Sequence, residues 1–206
     1  MTTLADLWAH AGARLYDPFV ALGERRGMRE RRRSLLSGAH GRVLEIGAGT
    51  GLNLPHYPDA VEELVLAEPE PGMLAKLSRR ARGSARVVGA SAEALPFADD
   101  SFDCVVSTMV LCTVGDVSGA LSEVRRVLRP GGRLLFVEHV RSDAPLLARW
   151  QDRLAGPWRA WGSGCRCNQP TLALLERGGM RVEWIETGAW RGMPAIVRPL
   201  VTGVAR

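Results

Sequence analysis

Lysine is almost absent from this 206-residue sequence, in which Lys76 is the only one. Since lysine and arginine together number 27 and the net charge is +5, nearly all the positive charge comes from arginine. Long apolar runs are missing as well: none approaches the roughly 20 residues that a membrane-spanning helix needs. The first ten residues contain no basic stretch followed by an apolar core, so we expect no secretory signal and a cytoplasmic location.

Cysteine is scarce too, with four in the chain, and this small number argues against a disulfide framework. Cys104 and Cys112 lie in or beside an apolar run, so we predict that both are buried as small apolar side chains. Cys165 and Cys167 form a C-x-C pattern and not the C-x-x-C of zinc sites and redox motifs. We therefore expect no metal site.

The composition is that of an ordinary globular domain, with 46% hydrophobic and 24% charged residues. At 206 residues, one core is the simplest organisation. We predict an N-terminal helical cap at residues 1–38 and a main domain at residues 39–206. Closely spaced tryptophans and glycines indicate an insertion at about residues 145–170, which lines an apolar substrate pocket or forms a small core of its own.

The strongest concentration of positive charge lies between Arg25 and Arg33. Three interpretations compete: a solvated helix face, contact with an anionic membrane surface, and contact with nucleic acid. Aromatic residues between the arginines would favour nucleic acid, and there are none. We favour the solvated face, keep membrane-surface contact as an alternative and expect no nucleic-acid partner.

The stretch from residue 43 to residue 51 is the most informative part of the chain. A short apolar run that contains Glu45 ends in Gly47, Gly49 and Gly51, a pattern typical of a buried parallel strand that enters a tight turn. The dinucleotide fingerprint needs its third glycine at position 52, where this chain has Leu52, so a nicotinamide or flavin site is disfavoured. An acid at the strand end suits a ligand that carries an amine instead of phosphates.

This E-x-G-x-G-x-G pattern resembles motif I of the class I S-adenosylmethionine-dependent methyltransferases. The resemblance implies S-adenosylmethionine as cofactor, with S-adenosylhomocysteine as product. Glu68 follows the glycines by about 20 residues, the distance at which an acid meets ribose hydroxyls. A further segment, residues 91–97, resembles the D-A-E-x-L-P-F loop of quinone-biosynthesis methyltransferases, with Ser91 in place of the acid. The resemblance implies that this loop holds the adenine by main-chain groups and by the residue in its first position. The expected cofactor-binding residues are Glu45, Gly47, Ala48, Gly49, Thr50, Gly51, Asn53, Glu68, Pro69, Met73, Ser91, Ala92, Glu93, Ser107 and Thr108.

The resemblance also implies the fold. Apolar runs predict strands at residues 43–46, 63–68, 85–89, 102–110, 133–139, 181–185 and 199–205, with helices between most of them. We expect an α/β Rossmann-like domain whose seven-stranded sheet has the order 3-2-1-4-5-7-6 and an antiparallel last strand. Helices would cover both faces. The N-terminal helices would cover the substrate pocket or, equally compatible with the sequence, serve as packing elements. Pro18 is predicted to end or kink the first of these helices.

Three further segments resemble thiol S-methyltransferases, at residues 110–114, 137–140 and 154–168. The resemblance implies a small, lipophilic methyl acceptor that reacts at a thiol sulfur. A thiol must be a thiolate to attack well, so His139 is the candidate that takes its proton, and Glu138 would orient His139 or bind an amine substrate. The expected partner is this small-molecule acceptor; the oligomeric state is left open.

Several alternatives remain from the sequence. One is methylation at carbon or nitrogen of a quinone precursor or lipid head group, and another is a non-catalytic module that binds S-adenosylmethionine. A metalloid methyltransferase that uses Cys112, Cys165 and Cys167 is a further, less favoured hypothesis. A structural strand-end histidine is the alternative for His139, and a nicotinamide oxidoreductase is disfavoured by Leu52.

Overall fold

The computed structural model describes the backbone of residues 4–162 and 164–206, with side chains from residue 12 onward. The start of the predicted cap, residues 1–3, and one residue of the predicted insertion, Ser163, lie outside this part of the chain. Within it, the helices are α1 (Leu4–Gly23), α2 (Arg29–Leu36), α3 (Pro71–Arg80), α4 (Val117–Val127), α5 (Pro145–Trp161) and α6 (Thr171–Arg177). Among the described helices, none is both long enough and apolar enough to cross a bilayer.

The described strands are β1 (Gly41–Ile46), β2 (Val61–Ala67), β3 (Arg86–Val88), β4 (Phe102–Thr108), β5 (Leu128–His139), β6 (Val182–Ala189) and β7 (Pro199–Ala205). They form one sheet in the order β3-β2-β1-β4-β5-β7-β6, as predicted. The first five strands run parallel, whereas β7 lies antiparallel between β5 and β6. The carboxyl ends of β1, β2, β4 and β5 therefore meet at one edge of the sheet, where ligands bind in open α/β folds.

Apolar side chains of the central strands pack on both faces of the sheet. On one face, Phe102 and Phe136 are fully buried together with residues of α4 and α6. On the other face, Val43 and Val106 pack with residues of α1, α2 and α3. Full burial of such side chains stabilises the fold by about 1.5–3 kcal/mol each. This two-sided burial explains why β1 and β4 are almost continuous apolar runs.

Local signals in the sequence set the starts of two helices. The side chain of Glu70 accepts hydrogen bonds from the backbone N–H groups of Gly72 and Met73, and Pro71 stands at the first helical position of α3. Asp116 caps α4 in the same way by accepting from the N–H of Gly119. These caps satisfy N–H groups that a helix leaves without intrahelical partners.

Two predictions about the borders of elements are corrected by the structure. α1 continues past Pro18 as far as Gly23; a proline removes one helical hydrogen bond, but the helix is held by its packing on α3. β5 begins at Leu128, whereas the sequence predicted this strand from residue 133. A turn with two glycines at residues 129–132 therefore lies within β5, and the pairing with β4 passes from Leu128 directly to Arg133. The division into a cap and a main domain stays a prediction.

The arginine run of residues 25–33 is only partly a solvated face. Arg25, Arg26, Arg29 and Arg33 are exposed. Arg31 donates instead to Thr202 (2.7 Å), and Arg32 is buried. Two of the six arginines therefore anchor α2 to the body of the protein, and the other four lie on the surface, where Arg33 pairs with Glu30.

Candidate functional site

The turn after β1 uses glycine for two different reasons. Gly47, Gly49 and Gly51 all have positive φ, at 55°, 57° and 85°, which side chains rarely tolerate. A Cβ at Gly47 would lie 2.6 Å from Val110 Cγ2, so this glycine lets the loop after β4 approach the turn. A Cβ at Gly49 would meet nothing closer than the Gly47 carbonyl at 3.9 Å. The backbone of Gly49 therefore faces open space, as a ligand-binding turn requires.

Glu68, directly after β2, lies beside this turn. Its Oε2 accepts from the Gly49 N–H (2.7 Å) and its Oε1 from the Glu70 N–H (2.9 Å). Burial raises the pKa of Glu68, and the two backbone hydrogen bonds oppose that shift. A carboxylate oxygen has more than one lone pair, so Glu68 keeps acceptor capacity for the two hydroxyls of a ribose.

Glu45 is buried and forms part of a polar network that reaches α2. Its Oε1 accepts from Asn53 Nδ2 (2.9 Å) and its Oε2 from the Tyr57 hydroxyl (2.6 Å). The other amide atom of Asn53, Oδ1, accepts from Arg32 (2.9 Å), which also pairs with Glu24. Burial raises the pKa of Glu45 to about 7, against the hydrogen bonds and the Arg32 charge. Glu45 thus changes its charge near neutral pH.

Sequence reasoning missed Asp17, which fastens α1 to the glycine turn. The Thr50 hydroxyl donates to Asp17 Oδ1 (2.6 Å), Lys76 pairs with Oδ2 (2.6 Å), and Arg80 bonds both Asp17 and the Thr50 carbonyl. Burial would raise the pKa of Asp17, but hydrogen bonds from Lys76, Thr50 and Arg80 hold it below its usual value. Asp17 therefore gives α1 a defined contact with the turn, for which a single acid before Pro18 was the only sequence signal. The covering role of α1 stays a prediction.

In the predicted adenine loop, at residues 91–97, polar side chains form hydrogen bonds within the protein. The Ser91 hydroxyl donates to Glu93 Oε2 (2.9 Å), and Glu93 Oε1 accepts from the Asp116 N–H (2.6 Å). Ala92 is buried in the core. Contact with adenine through main-chain groups stays a prediction here, as do the roles of Pro69, which is exposed, and of Met73, which is half-buried near the start of α3.

Neighbouring residues at the ends of β4 and β5 point to opposite faces of the sheet. Thr108 accepts from Asn53 Nδ2 (3.0 Å) on the Glu45 side. Ser107 donates instead to Glu138 Oε1 (2.7 Å). The same Glu138 carboxylate accepts from the N–H groups of Val110, Leu111 and Cys112.

Glu138 therefore departs from its predicted role of orienting His139. The two residues are consecutive on β5, and consecutive strand residues face opposite ways. With 0% exposure, Glu138 has no surface left for an amine substrate. Its carboxylate instead holds the loop that follows β4, including Met109, a non-glycine residue with φ of 61°. Glu138 is thus a positioning residue for this loop.

His139 lies in a closed environment at the end of β5. It is 4% exposed and stacks on Trp190 with 5.5 Å between ring centroids. Burial lowers its pKa to about 4, against the favourable backbone carbonyls of Val197 and Pro199. Among the described residues its Nδ1 has no hydrogen-bond partner. The ring is thus neutral at neutral pH, and its predicted role as a base stays a prediction.

Of the three cysteines in the metalloid hypothesis, the structure brings two together. The Cys165 and Cys112 sulfurs are 3.8 Å apart, and one ligand atom of His139 lies within 4.8 Å of both. Cys167 is separate, with its sulfur directed at the Gln151 carbonyl (3.7 Å). A histidine thus takes the place that the sequence suggested for a third cysteine.

Together, the sheet order, the open glycine turn and the acid after β2 define a nucleoside-binding α/β domain with its ligand at the carboxyl ends of β1, β2 and β4. Comparison with known proteins narrows this class. Residues 44–136 match the family model described as a methyltransferase domain. The structure also resembles that of a SAM-dependent methyltransferase from Thermotoga maritima, with a TM-score of 0.70, 20% identity, and coverage of 95% of this chain and 96% of that one.

Three curated relatives agree with this class. Thiol S-methyltransferase TMT1B of Homo sapiens is 39% identical over 150 residues, 68% of this chain and 61% of that protein. Thiol S-methyltransferase TMT1A of Homo sapiens is 33% identical over 174 residues, 79% of this chain and 69% of that protein. Ubiquinone/menaquinone biosynthesis C-methyltransferase UbiE of Marinomonas sp. (strain MWYL1) is 38% identical over 119 residues, 54% of this chain and 47% of that protein.

The chain belongs to the family of S-adenosylmethionine-dependent methyltransferases. The methyl donor of this family is S-adenosylmethionine, which leaves as S-adenosylhomocysteine. The residues present fit that group, because Gly49 leaves open space beside a buried carboxylate that can meet a ribose. The chain spans 61% of the length of human TMT1B and 69% of human TMT1A.

Proposed function

We propose that this chain methylates the sulfur of a small, lipophilic thiol. The observation that carries the proposal is how far the similarity to thiol S-methyltransferase TMT1A extends. A match over 79% of 206 residues is about 163 residues long, so it includes residues 44–163 wherever it begins. It therefore includes α5, which belongs to the predicted insertion. The match to UbiE, over 54% of the chain, is short enough to leave α5 out.

The residues around α5 support an apolar acceptor. Trp158 and Trp161 contact each other with ring centroids 5.4 Å apart, and Trp161 meets Phe19 of α1 edge-on at 5.3 Å. Asp17, two residues before Phe19, fastens α1 to the cofactor turn. The aromatic cluster of Phe19, Trp158 and Trp161 thus links the insertion to the helix that covers the cofactor turn, a suitable wall for an apolar substrate.

The chemistry places modest demands on the protein. When bound, S-adenosylmethionine supplies an already activated methyl group, so the chain has to position the thiol in line with it and exclude water. Near-attack positioning can be worth about 7–11 kcal/mol of the barrier. Glu68 would hold the ribose end, while Glu45, through Asn53 and Thr108, would shape the methionine end. The loop held by Glu138 would lie over the reacting atoms.

The experiment measures product formation with purified protein, S-adenosylmethionine and matched acceptors. We expect S-adenosylhomocysteine and the methyl thioether to form together with an alkyl or aryl thiol, and neither to form with the corresponding alcohol. Mass spectrometry of both products checks this. Glu68→Gln should reduce the affinity for the methyl donor about tenfold or more, since a hydrogen bond to a charged group contributes about 1.5–3 kcal/mol.

Glu62→Gln is the matched control, because Glu62 lies on β2 as well and is exposed. This variant should keep wild-type affinity and turnover. Methylation of a demethylated quinol but of no thiol would overturn the proposal in favour of carbon methylation. Binding of the donor without turnover of any acceptor would instead favour the non-catalytic module.

A further inference from the structure

Cys112, His139 and Cys165, here called the thiol–imidazole cluster, come from three separate segments. Cys112 lies in the loop after β4, His139 ends β5, and Cys165 lies in the loop after α5. Their side chains are 1%, 4% and 7% exposed, and one ligand atom from each lies within 4.8 Å of the other two. Three soft or borderline metal-ligand groups therefore converge in a largely buried space.

The cluster contains an unexplained acceptor. Nδ1 of His139 is buried without a hydrogen-bond partner among the described residues. A buried polar atom left without a partner is energetically costly, so such atoms are rare in folded proteins. The carbonyls of Val197 and Pro199 favour a hydrogen on the ring, so a neutral imidazole would carry it on Nε2 and leave a lone pair on Nδ1. This lone pair has no use in the contacts described so far.

We propose that the thiol–imidazole cluster binds a thiophilic divalent cation, Zn²⁺ above all, through the two sulfurs and Nδ1 of His139. The sulfurs are 3.8 Å apart. Two thiolates that bind one zinc ion at about 2.3 Å in tetrahedral geometry lie about 3.8 Å from each other. A Cys₂His set with an open fourth position is a known arrangement of catalytic zinc. This inference departs from the sequence-based expectation of no metal site.

The backbone around the cluster is fixed before any ion arrives. The Glu138 carboxylate accepts from the Cys112 N–H (3.3 Å), and the Cys112 carbonyl accepts from the Arg166 N–H (2.7 Å). The carbonyl of His139 accepts from the Thr171 hydroxyl (2.9 Å). The three ligand residues therefore lie on segments whose backbone is held by hydrogen bonds. Binding an ion thus requires little ordering of the chain.

The role of the ion rests on the proposed function, because the open fourth coordination position would bind the acceptor thiol. An acceptor thiol would release its proton to solvent on binding the ion and be held as a thiolate, because a bound cation stabilises the anionic sulfur. In the transfer, the S–CH₃ bond forms on the acceptor while the C–S bond of the sulfonium breaks. The electron pair of that bond stays on the departing thioether, so charge and atoms balance.

The test measures metal binding without methyl donor or acceptor, so its outcome is independent of the proposed function. Reduced, metal-free protein is titrated with Co²⁺ and then with Zn²⁺. We expect one ion per chain, thiolate-to-cobalt charge-transfer absorption of the intensity of two thiolates, and loss of this absorption on adding Zn²⁺. Cys112→Ser, Cys165→Ser and His139→Gln should each weaken Zn²⁺ binding about 100-fold or more, since losing even an outer-shell partner costs about 10–100-fold.

Cys104→Ser and Cys167→Ser are matched controls, because both cysteines are fully buried but lie outside the cluster. They should keep wild-type affinity. Circular dichroism identifies variants that fail to fold, and the wild-type cobalt spectrum, which counts thiolate ligands directly, decides the question without any variant. Absence of the two-thiolate absorption, equal loss in Cys167→Ser, or a Cys112–Cys165 disulfide in the native protein would each overturn the proposal.

Discussion

At the scale of single residues, the glycines of the cofactor turn separate stability from binding. The position of Gly47 is closed by Val110, whereas that of Gly49 is open. Glycine therefore serves close packing at position 47 and leaves space for a ligand at position 49. Glu68 accepts from the Gly49 N–H and so fixes the open part of the turn; its contact with the ribose stays a prediction.

Gly49→Ala is expected to weaken S-adenosylmethionine binding at least tenfold while lowering stability only moderately. The added methyl group enters the open space, and the φ of 57° costs a non-glycine residue about 1–2 kcal/mol. Gly83→Ala is the control, because Gly83 has φ of 77° and no neighbour within 4 Å of an added Cβ. Calorimetric titration and thermal unfolding measure both effects. Equal affinities in the two variants would show that the turn does not approach the ligand.

At the scale of elements, α1 is joined to the cofactor turn by a few charged contacts, while Val20 on the same helix packs in the core. Asp17 receives Thr50, Lys76 and Arg80 on one carboxylate. Leu15, Phe19 and Leu22, also on α1, remain exposed at 67%, 41% and 40%. A helix with one exposed apolar side and a charged contact to the turn can loosen from that turn at a lower cost than a fully buried helix, which suits a cover that must admit and release a cofactor.

Asp17→Asn should lower the free energy of unfolding by about 1–2 kcal/mol and speed the release of S-adenosylmethionine. The amide keeps the shape but loses the charge that holds Lys76 and Arg80. Stopped-flow dissociation and hydrogen exchange across residues 4–23 provide the measurements. Glu30→Gln removes an exposed surface pair with Arg33 and should change neither. Unaltered release in Asp17→Asn would rule out α1 as a cover.

The same scale shows what the sequence can and cannot predict. Apolar runs predict the strands, the family resemblance implies their order, and the structure confirms that order. Contacts between distant segments leave no such pattern. Asp17 lies 33 residues before Thr50, and Cys112 lies 53 residues before Cys165. A carboxylate such as Glu138, which accepts three backbone N–H groups, looks in sequence like any strand-end acid.

At the scale of the whole molecule, charge is unevenly used. Arg31 and Arg32 are committed to internal contacts, whereas Arg25, Arg26 and Arg29 stay exposed. Membrane-surface contact through this segment, a cytoplasmic location and the absence of nucleic-acid binding stay predictions.

The buried charge of Glu45 concerns the fold more directly, because Glu45 lies at the centre of the sheet and links it to α2 through Asn53 and Arg32.

Global stability should therefore depend on pH through Glu45. Burial raises its pKa from 4.5 to about 7, which corresponds to about 3 kcal/mol. The folded state binds this proton more tightly than the unfolded chain, so the contribution is present below pH 4.5 and is lost as pH rises through 7. Glu45→Gln has no proton to lose, so between pH 5 and 8 it should gain about 3 kcal/mol relative to wild type.

Urea unfolding at each pH measures this difference, with Glu62→Gln as the exposed control that should follow wild type throughout. Saturating S-adenosylmethionine should remove most of the difference, because its cationic groups favour the ionised carboxylate and lower the pKa of Glu45 again. Parallel pH curves for wild type and Glu45→Gln without the cofactor would mean that Glu45 is already ionised in the folded protein. The Arg32 charge would then outweigh burial, and the network of Glu45, Asn53 and Tyr57 would be a fixed anion and not a group that titrates near neutral pH.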